Sequence, residues 1–124
     1  MLTPYLTYTD ARAAIAFYES AFGATLNGEP WIDDRDRVGY ADLAIGDGHL
    51  FLSDEYPEIG VLGPASRGGA TGSIVLSTPD ADAVFDRAVS HGATVANPMT
   101  DQPHGRTGKL VDPFGHVWHV HRSR

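Results

Sequence analysis

With 124 residues, 42% of them hydrophobic and 20% charged, the chain fits one globular domain with a single core and leaves little room for a second. It has no cysteine, which excludes disulfides and thiolate chemistry, and its net charge of −7 repels nucleic acid and attracts cations. No apolar run nears the ~20 residues a bilayer crossing takes, and the opening MLTPYLTYTDAR lacks the basic-then-apolar order of a signal peptide, so a cytoplasmic protein with no membrane partner is expected.

In chain order, Leu2 to Thr9 reads as a strand and Asp10 to Phe22 as a helix, with an apolar stripe at Ala11, Ile15, Tyr18 and Phe22. Asp10 suits the cap at its start and Gly23 the left-handed residue after its end. Three short strands follow, near Thr25 to Trp31, Arg37 to Ile45 and His49 to Ser53, with Asp47-Gly48 as the hairpin signal between the last two. Glu55 to Thr71 is rich in glycine and proline and reads as a connector. The scheme then repeats. Gly72 to Ser77 is a strand, and Asp80 to His91 is a helix with its stripe at Ala81, Val84, Phe85, Ala88 and Val89, capped by Thr78 or Asp80. Strands near Thr94 to Thr100, Arg106 to Val111 and Val117 to His121 complete it, the last two joined by the turn Asp112-Pro113-Phe114-Gly115-His116, where His116 is expected in solvent.

Both helices run into the same tripeptide, Gly23-Ala24-Thr25 and Gly92-Ala93-Thr94. Matching strand, cap, stripe and stop around it indicate an internal duplication. The expectation is therefore an α+β fold of two βαβββ modules, residues 1–54 and 72–122, joined by residues 55–71 into one domain spanning 1–124. The modules form a curved sheet around a cleft, since neither is large enough to be stable alone.

Two motifs, Asp10…Phe17-Tyr18…Phe22-Gly23-Ala24 and Gly108-Lys109-Leu110-Val111-Asp112-Pro113-Phe114-Gly115-His116-Val117-Trp118, resemble the vicinal oxygen chelate superfamily of glyoxalases, extradiol dioxygenases and fosfomycin- and bleomycin-resistance proteins. Thr3-Pro4-Tyr5-Leu6 and His104-Gly105-Arg106 look most like its PhnB-like branch. The resemblance implies a two-fold homodimer. It also implies, in metal-dependent members, four ligands of the types His or Gln, Glu, His and Glu. Those positions fall here on Thr3, Phe51, Ser73 and His119. Two hydroxyls, a phenyl ring and one imidazole do not make a divalent site, which needs three or more strong donors. No metal ligand and no cofactor is therefore assigned. A relocated site of His49, His119 and His121 with Asp42 is the alternative.

Strand alternation places Leu6, Ile74 and Leu76 toward the helices and Tyr5, Thr7, Val75 and Ser77 toward the cleft. Ala41, Leu43 and Ile45 form a core face, with Val38, Tyr40 and Asp42 opposite. The expected ligand-binding set is Tyr5, Thr7, Trp31, Tyr40, Asp42, His49, Phe51, Ser73, Val75 and His119. Trp31 would close the mouth and Asp42 receive a cation, while His121 would be a frayed terminal residue. No catalytic residue is assigned. The composition suits a small organic ligand, aromatic or cationic, held without metal as in bleomycin-resistance proteins. A glyoxalase- or dioxygenase-type metalloenzyme with a rearranged histidine site is the other reading, and a metal-free enzyme with His119 as general base a third.

Overall fold

The computed structural model describes all residues, Met1–Arg124. The first half runs β1 (Tyr5–Tyr8), α1 (Ala11–Phe22), β2 (Thr25–Leu26), β3 (Trp31–Ile32), β4 (Val38–Ile45) and β5 (Gly48–Asp54). A 3₁₀ turn at Pro57–Ile59 and the short helix α2 (Pro64–Arg67) lie in the connection. The second half runs β6 (Ser73–Ser77), α3 (Ala81–Ser90), β7 (Thr94–Gln102), β8 (Gly105–Val111) and β9 (Val117–Ser123).

Two curved sheets result, neither closed. Their strand orders are β1-β5-β4-β2, with β3 also on β4, and β6-β9-β8-β7. In each, the strand before the helix pairs in parallel with the last strand and the others are antiparallel. The registers correspond, since Tyr5 sits beside Phe51 and Val75 beside His119. This is the α+β architecture of a duplicated βαβββ unit.

Local chemistry explains the elements. Asp10 accepts the amide of Ala13 at 3.0 Å and Asp54 accepts that of Ala11 at 2.7 Å, so two carboxylates occupy the start of α1, where free N–H groups favour negative charge. Gly23, at φ 68°, ends the helix in the left-handed conformation that glycine adopts without steric cost. At α3 the side chain of Asp80 caps nothing; Thr78 Oγ1 instead accepts the Asp80 amide at 3.3 Å.

The core lies where the helices cover the sheets. Tyr18 and Phe22 of α1 pack on Trp118 of β9, with ring centroids 5.3 and 4.8 Å apart, and Arg87 of α3 donates to the carbonyl of Ala21. The halves thus share one core, and burying each large apolar side chain contributes about 1.5–3 kcal/mol.

Several expectations are corrected. The second strand is split in two, because Gly28 at φ 84° and Pro30 interrupt it, and Trp31 belongs to the separate β3. The hairpin turn falls on Gly46-Asp47, one residue early, with Gly46 supplying the positive φ. Val38 is core rather than cleft, at 1% exposure, because the β3–β4 register shifts between Trp31 and Ile32 and breaks the alternation. Val89 is exposed. His121 is not frayed: β9 continues to Ser123, and its ring stacks on His104. His116 is 8% exposed, because its ring packs on Tyr8 and its Nε2 donates to the carbonyl of Thr7 at 2.9 Å.

Candidate functional site

With Leu6, Ala41, Leu43 and Leu52 turned to the core, the alternate residues Tyr5, Tyr40 and Phe51 meet on the open face of the first sheet. Their rings contact edge to face, with centroids 6.2 Å (Tyr5–Tyr40), 5.9 Å (Tyr5–Phe51) and 5.1 Å (Tyr40–Phe51) apart. Tyr5 donates to the carbonyl of Gly39 at 2.7 Å, which fixes its ring. Burial, and then the neighbouring Tyr40, raise its pKa, so it stays a neutral donor.

Trp31 lies against Gly39. A Cβ there would come within 2.4 Å of the indole, so the wall needs glycine for the ring to approach the β4 backbone. Trp31 nevertheless remains 60% exposed. Beside it opens a cavity of about 520 Å³ lined by Tyr5, Trp31, Tyr56, Ile59 and Val61, with Thr7 and Ser53. Its size and apolar walls suit a small organic molecule. Tyr56 is held from behind: its hydroxyl donates to Asp33 at 2.9 Å, and the Arg37 guanidinium sits 3.9 Å from its ring centroid. Although burial opposes ionisation of Asp33, hydrogen bonds from Arg37, Tyr56 and the Arg35 amide outweigh it and lower its pKa to about 2.

A second cleft, of about 540 Å³, follows the seam between the edges of β1 and β6. Pro4 to Thr7 line one side and Gly72 to Ile74 the other, with Arg67 as its cation. Tyr5 and Thr7 face both clefts, so β1 separates them.

Beyond Phe51 on the same face, Asp42 is 9% exposed and accepts from Asn27 Nδ2 and His49 Nδ1, both at 2.8 Å. Burial alone would raise its pKa, but these two hydrogen bonds prevail and hold it below the usual carboxylate range. Both oxygens of the expected cation receptor therefore already have partners.

The expected residues are thus distributed over four places. Tyr5, Thr7 and Trp31 line the first cavity, Ser73 lines the seam, and Tyr40, Phe51, Asp42 and His49 continue the wall. Val75 and His119 pair with each other on the open face of the second sheet, with Lys109 on the other side of His119. Tyr56, Ile59 and Val61 were not anticipated. The apolar Tyr56, Ile59 and Val61, clustered at the start of the glycine- and proline-rich connector, are the signal that marks them.

The donor set does not fit the divalent ion that the resemblance implies. Phe51 contributes a ring to the aromatic wall, and no three His, Asp or Glu side chains converge anywhere. The alternative set is not assembled either: His49 and Asp42 meet on the first sheet, while His119 and His121 lie on β9 of the second and no three of these side chains converge.

The family model of the Glyoxalase/Bleomycin resistance protein/Dioxygenase superfamily matches residues 3–120. An uncharacterized protein of Mycobacterium bovis is 39% identical over 121 residues, covering 94% of this chain and 79% of that one. Among solved structures, protein PA1353 of Pseudomonas aeruginosa superposes with a TM-score of 0.78 at 26% identity, covering 99% of this chain and 97% of that one. TnmS3, an antibiotic binding protein from a Streptomyces species, shares the fold with a TM-score of 0.69 at 20% identity, over 98% and 93% of the two chains. With the duplicated architecture already in place, these matches assign the chain to a family: it belongs to the glyoxalase/bleomycin resistance protein/dioxygenase superfamily.

Proposed function

We propose that the protein binds a small, flat organic molecule, aromatic or cationic, on the wall of Tyr5, Tyr40 and Phe51 and in the adjoining cavity, holding it without a metal ion and without turnover. The observation that carries this reading is the open aromatic wall, whose Trp31 is exposed where an apolar ligand would cover it. Stacking and edge contacts with such rings favour planar ligands, and the net charge of −7 draws cations toward them. TnmS3, which shares the fold, is an antibiotic binding protein, and this favours a small organic ligand here. We also read the protein as a cytoplasmic homodimer near the PhnB-like branch. The homodimer is supported by exposed apolar side chains on both sheets, Tyr5 and Trp31 on the first and Val75 and Val95 on the second.

A thermal-shift screen against planar aromatic compounds, cationic and neutral, tests the reading. A ligand that binds the native state raises the melting temperature with dose. The hit must lose its effect in Trp31→Ala and Phe51→Ala. A hit that shifts these variants as much as the wild type contradicts the assignment.

A further inference from the structure

The pair His49–Asp42 has the geometry of a proton acceptor. Asp42 is held ionised, and a carboxylate can only accept hydrogen bonds, so the 2.8 Å contact requires a hydrogen on His49 Nδ1. In the neutral ring the lone pair then lies on Nε2. Asn27 secures the other carboxylate oxygen at 2.8 Å, so Asp42 is fixed from both sides and in turn fixes the imidazole. The His49 side chain is 39% exposed, unlike that of Asp42 at 10%, so one member is anchored and the other is presented to solvent.

Its position relates this pair to the wall. Asp42 is the cross-strand neighbour of Phe51, and His49 is two residues before Phe51 on the same face of β5. Two residues along a strand span roughly 7 Å, about the width of one aromatic ring with a substituent. A planar ligand resting on Phe51 and Tyr40 would therefore bring a hydroxyl on its edge along β5 within reach of the His49 imidazole.

We propose that His49 and Asp42 form a recognition site for an acidic hydroxyl, a phenol or an enol, on the aromatic ligand. This inference rests on the binding reading above and specifies the ligand class. The hydroxyl O–H bond breaks and an Nε2–H bond forms; the ligand keeps the electron pair as an oxyanion, and the new imidazolium is flanked by that oxyanion and by Asp42. The complex has the same total charge before and after transfer. A neutral phenol can therefore approach a protein of charge −7 without repulsion and become an anion only where a cation has formed beside it.

The test uses 4-nitrophenol, whose phenolate absorbs in the visible while the phenol does not, and nitrobenzene as the partner without a hydroxyl. Both are titrated into wild type, His49→Gln and Asp42→Asn, below the pH at which free 4-nitrophenol ionises, with binding followed by Trp31 quenching and ionisation by absorbance. In the wild type, 4-nitrophenol is expected to bind at least roughly tenfold more tightly than nitrobenzene and to show the phenolate band, as a hydrogen bond to a charged group allows. His49→Gln is expected to abolish the band and the preference, the affinity for 4-nitrophenol falling to that of nitrobenzene in the same variant, and Asp42→Asn to weaken both. Equal affinity for the two compounds, or a phenolate band that survives in His49→Gln, overturns the inference while the aromatic binding site stands. Binding of neither compound overturns both.

Discussion

Tyr18 of α1 donates its hydroxyl hydrogen to the carboxylate of Asp112, 94 residues further along the chain, and this bond joins the two halves of the duplication at their centre. Asp112 is 4% exposed and also accepts from Trp118 Nε1 at 2.9 Å and from the amides of Phe114 and His116, each at 3.0 Å. Tyr8 extends the chain with a 2.8 Å contact to the Tyr18 hydroxyl. Burial raises the pKa of both tyrosines well above the usual range, so they remain neutral donors for the buried carboxylate.

Asp112→Ala removes the acceptor for four donors, three of them in fully buried hydrogen bonds. We expect it to cost about 3–5 kcal/mol in urea denaturation, whereas Tyr18→Phe, which removes one donor of the four, costs about 1–2 kcal/mol. A loss below about 1 kcal/mol for Asp112→Ala would show that this carboxylate contributes little to joining the halves.

Gly39→Ala forces Trp31 off the β4 backbone, since the added methyl would overlap the indole. Because Trp31 is already mostly exposed, the stability loss should stay near about 1 kcal/mol or less. Tryptophan emission should shift to longer wavelength and quenching by acrylamide should increase, while the buried Trp118 gives a constant background. Unchanged emission would mean that Trp31 does not rest on this glycine.

Acid should loosen the back of the first cavity in a defined window. The folded pKa of Asp33, about 2, is below its ordinary 3.8, so ionised Asp33 favours the native state. That contribution is complete above 3.8 and is lost as the pH falls through the folded value. Asp33→Asn should therefore unfold at the same acidic midpoint or higher, with a shallower dependence of stability on pH between about 4 and 2. An unaltered slope in a series of denaturation curves would remove Asp33 from the account.

The duplication was legible because it rests on local chemistry. Asp10 caps, Gly23 stops and the Ala11–Phe22 stripe buries, each by a rule that acts within a few residues. Tyr5, Tyr40 and Phe51 could be placed on one face because alternation along a strand is equally local. Alternation failed at Val38, where a register shift between β3 and β4 intervenes. His116 and Tyr56 were out of reach for a related reason. One is buried by Tyr8 and Thr7 more than 100 residues away, and the other lines a cavity only once the connector folds back over the first sheet. Such burial is set by tertiary packing, which no neighbouring residue announces.

The most direct test of the central claim is calorimetric titration of a planar aromatic hit into the protein before and after exhaustive treatment with a metal chelator. The account predicts the same affinity and stoichiometry in both, with a loss of roughly tenfold in Trp31→Ala. Binding that disappears with the chelator and returns on adding Zn²⁺, Ni²⁺, Mn²⁺ or Fe²⁺ would contradict it.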